Sequence, residues 1–430
     1  MKVFKFGGAS VKDPEAVKNV GDVMQLFPNE NIVVVVSAMG KTTNALERLT
    51  AAYYHGTEDP KQVLDEIKMY HNDILSSLFT DPTHPIYSEI NNVLVELDWI
   101  IEDEPIKGYD FEYDQIVSMG ELMSTKIVSH WLNEVGVPNT WVDVRDFLKT
   151  DNTYRDAKVD WEETGKSIKK IMPPLFKGQN SAVAITQGFI GVTSENFNTT
   201  LGREGSDYTA AIIGSLMDAK EVTIWKDVPG VLNADPKMFT DAKKLDVLSY
   251  HEAIELSFFG ASVIHPKTIK PLQNDNIPLK VRSFFNPQDE GTLITHTHKL
   301  DELGEVSDDI PSFIVKTDQV LISILPRDFS FIVEENLSSI FGEFAKYGIK
   351  VNLMQHAAIS FSVCVDADNN RVPDLIKGLQ ENYKVLYNEG VELVTIRQYD
   401  QQTINRLIKD KKVFVEQKSR HTVRYVLREA

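Results

Sequence analysis

Leu201-Gly202-Arg203-Glu204-Gly205-Ser206-Asp207-Tyr208-Thr209-Ala210-Ala211 is a glycine-punctuated loop that carries an arginine, a serine and an aspartate straight into an apolar helical segment. Glycines permit tight turns and let a ligand approach the backbone closely. The amides that open a helix face outward with the positive end of its macrodipole. The stretch therefore reads as an anion site at a loop-to-helix transition, and the rest of the chain reads as its support.

Working outward, the same strand, turn, helix grammar recurs. Val3 to Phe6 is a short strand, Gly7-Gly8 its turn, and Pro14 to Leu26 a helix with Asp13 as N-cap and Pro14 in the first position. Ile32 to Val36 is a β-branched run of the kind buried on both faces of a sheet, and the Ser37 to Thr43 loop leads into a helix near Asn44. From about Pro60 to His130 the patterns are helical, with Gly120-Glu121 inside the last of them, Phe111 to Leu132. Strands resume at Thr140 to Val144, Ala182 to Thr186 and Glu221 to Trp225. Helices over Tyr250 to Phe259 and Lys267 to Gln273 then precede a strand at Leu279 to Ser283.

This alternation predicts an α/β fold with a mainly parallel central sheet covered by helices on both faces, a three-layer arrangement. Ligands in such sheets sit beyond the carboxyl ends of the strands. Gly7-Gly8, the Ser37 to Thr43 loop, Gly188 and Lys226-Asp227 all fall there, so separate loops are expected to converge on one cleft.

The chain has 430 residues, 42% of them apolar, which suggests roughly two or three domains with ample core. A formal charge of -18 opposes a general role on nucleic acid or an anionic membrane and favours a small-molecule ligand. The single cysteine, Cys364, cannot make an internal disulfide and lies in an alternating apolar run, so it reads as a buried thiol in a reducing compartment. No apolar run approaches the roughly 20 residues needed to span a bilayer, and the stretch from Met1 to Gly8 does not show the continuous apolar core expected of a secretion signal. The cytoplasm is the expected location.

The character changes at the polar, acidic stretch Thr295 to Asp309, the expected main boundary. Beyond it, strand-like Val320 to Leu325, a helix face at Leu337, Ile340, Phe341, Phe344 and Ala345, strands at Val351 to Met354 and Ile359 to Val365, a stripe at Val372, Leu375, Ile376 and Leu379, and a strand near Val385 to Tyr387 spell βαββαβ. Val391 to Ile396, Thr403 to Ile408, Val413 to Gln417 and Thr422 to Leu427 spell most of a second such unit with one helix missing. The expected domains are 1–298, 310–388 and 389–430.

Several residues invite chemistry. Lys5, at the carboxyl end of a strand beside a glycine turn, is placed to offset charge on a transferring phosphoryl group. Asp207 alone would be a first-turn helix acid. With Arg203 and Ser206 in the same loop it reads as functional, since an arginine fork suits a carboxylate or phosphate and an aspartate can hold Mg²⁺ or orient a substrate amine. Gly40-Lys41-Thr42 after a strand imitates a phosphate loop, but Val35 stands where that motif needs its first glycine, so the segment reads as a different substrate loop. His265 precedes Pro266 without a metal-ligand companion and reads as structural.

Lys5-Phe6-Gly7-Gly8-Ala9-Ser10-Val11, Gln187-Gly188-Phe189-Ile190-Gly191, Gly202 to Ala210 and Phe259 to Thr268 together resemble the ordered signatures of aspartate kinase, an amino-acid-kinase-fold family whose tail carries paired ACT regulatory domains. The resemblance spans the chain and implies transfer of the ATP γ-phosphate to L-aspartate, giving 4-phospho-L-aspartate, the entry step to lysine, threonine and methionine. It further implies that Lys5 neutralises the transferring phosphate, that Arg203 holds the substrate α-carboxylate, that Glu121 and Asp207 serve its amino end and organise the catalytic centre, and that Thr43 and Ser206 add hydrogen bonds. Lys5, Gly7, Gly8, Lys226, Asp227, Val231, Leu232, Lys237, Ser262 and Val263 match the nucleotide stretches, and ATP with Mg²⁺ is the implied cofactor set.

The departures from the family pattern are specific. Ala9 replaces the usual threonine, Glu204 the usual glycine and Leu232 a frequent tyrosine; Ser262 stands where many relatives carry an ATP-contacting lysine, and Lys226 where many carry threonine. Lys226 is accordingly expected to supply the missing cation from the opposite side of the nucleotide. His356-Ala357-Ala358 replace the hydroxyl and acidic groups of lysine- or threonine-sensitive relatives, which speaks against ordinary lysine inhibition at an effector site in the ACT region. Edge-to-edge ACT pairing implies a homodimer or higher homo-oligomer. The alternatives are another amino-acid-kinase-fold enzyme acting on glutamate or a nucleoside monophosphate, and a catalytically inactive amino-acid-binding regulator. Those other kinases generally lack the tandem ACT tail, and retention of Lys5, Arg203 and Asp207 favours an enzyme over the regulator.

Overall fold

The computed structural model describes residues 1–179, 181–261, 264–296, 310–328 and 330–429. They form two compact bodies. The first takes Met1–Val231, Lys244–Ile254 and the described residues of 263–307; the second takes Leu232–Lys243 and the described residues of 255–262 and 308–430. Ser262, Val263 and residues 297–309 of the expected linker lie outside the described residues.

The first body is built on β1 (Lys2–Phe6), β2 (Ile32–Val36), β3 (Asn139–Trp141), β4 (Val183–Gln187), β5 (Ile190–Val192), β6 (Asn198–Thr200), β7 (Glu221–Lys226), β8 (Val247–Ser249), β9 (Leu279–Ser283) and β10 (Thr292–Thr295). Eight of these make one sheet in the order β3-β4-β2-β1-β7-β9-β10-β8. The six from β3 to β9 in that order are parallel, whereas β10 pairs antiparallel to β9 and β8 follows β10. As the β-branched run required, β2 is buried at all five positions. The short reversed strands β8 and β10 and the β5–β6 hairpin carry no comparable run, and the sequence pattern missed them.

Helices cover this sheet in two sets. Gly205–Leu216 packs on β1, β2 and β7 and against Pro266–Asn274, while Met119–Glu134 packs on β2, β3 and β4 and against Pro14–Gln25. Pro14–Gln25 starts as expected: the Asp13 carboxylate accepts from the Ala16 amide at 2.8 Å. The single helix expected over Phe111 to Leu132 is two, Tyr109–Val117 and Met119–Glu134, meeting at Ser118. Beneath the sheet's centre Phe6 stacks on Trp225 with centroids 5.9 Å apart, and both are buried. Deep burial of this kind stabilises each such side chain by about 1.5–3 kcal/mol and leaves β1 little freedom to shift. Cys364 is buried in the second body, where desolvation pushes its thiol up to about 12.

The second body carries one antiparallel sheet of six strands: β11 (Ser312–Leu325), β12 (Val351–Ala357), β13 (Ser360–Asp366), β14 (Lys384–Arg397), β15 (Lys411–Lys418) and β16 (Thr422–Glu429), in the order β12-β13-β11-β14-β16-β15. The two βαββαβ-like units share β11 and β14, each 14 residues long. The carboxyl-terminal half of β11 pairs with the start of β14 in the first unit, and Ser312 to Lys316 pairs with Leu393 to Arg397 in the second. This explains the missing helix: the second unit draws one strand from upstream in the chain, so no helix is needed to reach it. Helices Glu334–Lys346 and Arg371–Gln380 bury Ile340, Phe344, Val372, Leu375 and Leu379 in the first unit's core, as their spacing predicts. The residue 388/389 boundary expected between the units falls within β14.

Candidate active site

The carboxyl ends of β1, β2 and β4 are cross-linked before any side chain is considered. The Ser37 amide donates to the Phe6 carbonyl at 3.1 Å, the Gly188 amide to Val36 at 3.0 Å, and the Gly40 amide to Gly8 at 3.0 Å. Gly188 allows a close approach, since a Cβ there would meet the Cβ of Ser206 at 2.4 Å. The loop that opens Gly205–Leu216 thus rests directly on the end of β4.

Above these ends lies a cleft of about 470 Å³ lined by Lys5, Ser37, Thr43, Tyr113, Glu121, Arg155, Phe189, Thr200, Lys226 and the whole of Gly202 to Asp207. The structure brings Lys5, Thr43, Glu121, Arg203, Ser206, Asp207 and Lys226 together, although they span more than 220 positions of sequence. Gly7, Gly8 and Asp227 sit at the same edge of the sheet without lining the cleft. Val231 is buried, its amide donating to Thr292 Oγ1 at 2.8 Å. Leu232 and Lys237 belong to the second body, and Ser262 and Val263 lie outside the described residues. Lys41 faces a different, smaller cavity with Glu66 and Tyr70, in keeping with a loop that is not a phosphate loop. His265 caps the helix Pro266–Asn274, its Nδ1 accepting from the Lys267 amide at 3.1 Å. A larger cavity of about 630 Å³ flanks the other side of Gly205–Leu216, lined by Trp161, Tyr208 and the paired Asp156 and Lys267; it holds none of the expected site residues and lies away from the strand ends.

At the cleft floor the Lys5 ammonium meets Asp207 Oδ1 at 2.5 Å, and Lys226 Nζ lies 4.0 Å from Oδ2. Both Lys5 and Asp207 are buried. Asp207 sits in the first turn of its helix, where the macrodipole favours a carboxylate, and the lysines complete its neutralisation.

Glu121 enters from the other wall. Gly120 lets its helix approach Leu46 and Ala38 closely, and the Ser124 hydroxyl donates to the Ser37 carbonyl at 2.7 Å. Glu121 Oε1 accepts from the Ala38 amide at 3.3 Å, Oε2 is buried without a partner among the described residues, and burial raises the carboxyl to about 8.

Sequence reasoning missed the framing residues Asp114, Arg155 and Thr200. Asp114 is fully buried and accepts from the Arg155 amide at 3.0 Å, the Thr200 amide at 2.9 Å and the Thr200 hydroxyl at 2.7 Å; burial pushes it up to about 7 despite these bonds. It ties the loop before Leu201 to Arg155, whose guanidinium lies 4.4 Å over the Tyr113 ring and 3.2 Å from Asp110. An aspartate within a helical pattern carries no mark of such a role.

A model of the amino acid kinase family matches residues 1–283. Lysine-sensitive aspartokinase 3 of Escherichia coli is 31% identical over 405 residues, covering 92% of this chain and 86% of that protein. The chain belongs to the amino acid kinase family, and within it to the aspartokinases. The crystal structure of E. coli aspartokinase III in complex with aspartate and ADP superposes with a TM-score of 0.80 at 28% identity, covering 99% of this chain and 96% of that one. Bifunctional aspartokinase/homoserine dehydrogenase 1 of Zea mays is 32% identical over 386 residues, 89% of this chain. The chain spans about two fifths of the length of such bifunctional relatives, 41% in the maize case.

Glu121 gives this family member a testable pH signature. Its folded pKa exceeds the ordinary value of 4.5, so from about pH 5 to about pH 8 the unfolded chain releases a proton that the folded chain keeps, and stability falls as pH rises through that window. Glu121→Gln removes the effect. The melting temperature of the variant relative to wild type is expected to climb from pH 5 to pH 8 and then level off; a pH-independent difference would refute burial as the cause.

Proposed function

We propose that the protein transfers the γ-phosphate of ATP to the side-chain carboxylate of L-aspartate, the entry step to lysine, threonine and methionine. The observation that carries this reading is the buried Lys5–Asp207 pair at the carboxyl end of β1, set between Arg203 and Glu121 in one cleft. The likeness to a solved aspartokinase that binds aspartate and ADP supports it. The proposed catalytic region is 1–298, with regulatory ACT-like units over 310–388 and 389–430, in the cytoplasm.

The acceptor carboxylate is already ionised at neutral pH, so no strong general base is required. The obstacle is to bring one anion against another. Lys5 offsets charge on the transferring phosphoryl group and Lys226 adds a second cation beside Asp207, while Arg203 takes the substrate α-carboxylate and Glu121 its amino end. Thr43 and Ser206 complete the orientation. The aspartate oxygen then attacks the γ-phosphorus in line, the bond to the β–γ bridging oxygen breaks, and ADP departs. Assignment of Gly7, Gly8, Asp227, Val231, Leu232, Lys237, Ser262 and Val263 to the nucleotide rests on the resemblance.

Among the described residues no three His, Cys, Asp or Glu side chains gather to cage a metal. Mg²⁺ carried by nucleotide phosphates needs only one or two protein carboxylates, and Asp207, central in the cleft, fits that part. When bound, the ion polarises the phosphoryl oxygens.

Formation of aspartyl hydroxamate from ATP, aspartate and hydroxylamine tests the reading, with lysine, threonine and methionine as added effectors. Product with aspartate is expected, and product with glutamate alone would overturn it. In the same assay Lys226→Ala is expected to lower kcat/KM for ATP by roughly ten- to a hundredfold; unchanged ATP kinetics would show that Lys226 does not replace the missing cation. Strand β12 forms one edge of the second body's sheet and exposes Met354 and His356. We assign that edge to a homodimer, and a concentration-independent monomer mass by light scattering would contradict it.

A further inference from the structure

Glu204 occupies a backbone conformation unsuited to it. Its φ of 55° and ψ of 30° are left-handed, a region glycine enters freely and residues with a Cβ enter at a cost. The helix that follows does not require a carboxylate there, because the Glu204 side chain makes no capping hydrogen bond. Strain of this sort persists where the surroundings or the function need the side chain.

The side chain belongs to the cleft. Glu204 lines it beside Arg203, Ser206 and Asp207, and its Oε2 is buried with no hydrogen-bond partner among the described residues. His265 is near enough to feel its charge, yet burial lowers the imidazole pKa and its Nδ1 is committed to the Lys267 amide, so His265 is not the counter-ion. Of the other cleft acids, Asp207 is engaged by Lys5 and Lys226, while Glu121 gives one oxygen to Ala38 and, like Glu204, keeps its Oε2 buried without a partner among the described residues. A buried carboxylate oxygen without a donor is unfavourable until something brings one.

We propose that Glu204 is a specificity-determining residue that receives the α-ammonium of the amino-acid substrate, beside the α-carboxylate held by Arg203. This rests on the reading of the cleft as an aspartate site. The ammonium and α-carboxylate share one carbon, so their partners must stand side by side, and residues 203 and 204 are consecutive. A guanidinium and a carboxylate so placed read a zwitterion, with Glu121 facing the same ammonium from the opposite wall. A plain dicarboxylate satisfies only the arginine.

Glu204→Gly and Glu204→Gln in the full chain test this, because glycine satisfies the backbone while removing the carboxylate. The readouts are melting temperature, KM for aspartate, KM for ATP, the Mg²⁺ requirement, and inhibition by succinate, which is aspartate without its ammonium. The glycine variant is expected to melt at or above the wild-type temperature. Both variants should raise the aspartate KM roughly 10- to 100-fold, with ATP KM and succinate inhibition moving less than about twofold. An aspartate KM within about twofold of wild type in Glu204→Gly would show a merely conformational role and overturn the proposal. So would a change confined to the Mg²⁺ requirement, which would put a metal ion on the carboxylate. Should wild type fail to phosphorylate aspartate, the functional reading fails, and calorimetric aspartate binding then decides for Glu204: weakened binding in the glycine variant supports it, while equal binding, or none in wild type, overturns it.

Discussion

The chemistry of the cleft depends on one buried ion pair, Lys5 with Asp207. Two charges held away from water are tolerated only when their geometry is fixed, because the desolvation of each is repaid mainly by the other, with Lys226 and the helix N-terminus adding to the neutralisation of Asp207. That demand explains the placement of Lys5. It stands on β1 with β2 on one side and β7 on the other, in a strand buried along most of its length. It equally explains Asp207, which is carried on a helix packed across the same three strands.

The substrate walls are set around this pair by close approaches that do not involve it. Gly188 lets the loop before Asp207 rest on β4, Gly120 lets the helix bearing Glu121 settle on the β2 loop, and Asp114 binds Thr200 and Arg155 through three hydrogen bonds. None of these contacts touches a ligand in the proposed reaction. The two glycine approaches set the positions of residues that do, Ser206 and Glu121, and Asp114 frames the loop beside them; positioning is most of what a phosphoryl transfer to an already ionised carboxylate requires.

Much of this was legible in the sequence. The buried strand Ile32–Val36, the Asp13 cap and the strand-end glycines fixed the parallel sheet and the edge on which ligands sit, and Lys5, Arg203, Ser206 and Asp207 stood out because charged groups beside glycine turns have few structural reasons to be there. What was not legible depends on long-range geometry. Short strands such as Val247–Ser249 carry too few residues for a period, and Asp114 looks like any helical acid until Thr200 is folded onto it. The sharing of β11 and β14 between two units is invisible because pairing partners, unlike periodicity, are not written locally. Glu204 shows the converse: sequence marked it as a departure, and only its left-handed backbone and orphaned oxygen gave that departure a physical meaning.

The central claim is that Lys5 acts on the transferring phosphoryl group and not on substrate affinity. Its most direct test is Lys5→Met, with aspartate binding followed by calorimetry and phosphoryl transfer by single-turnover quench. The account predicts aspartate affinity within about threefold of wild type and transfer slowed by roughly a hundredfold or more. Transfer at the wild-type rate, or a loss explained wholly by weaker aspartate binding, would contradict it.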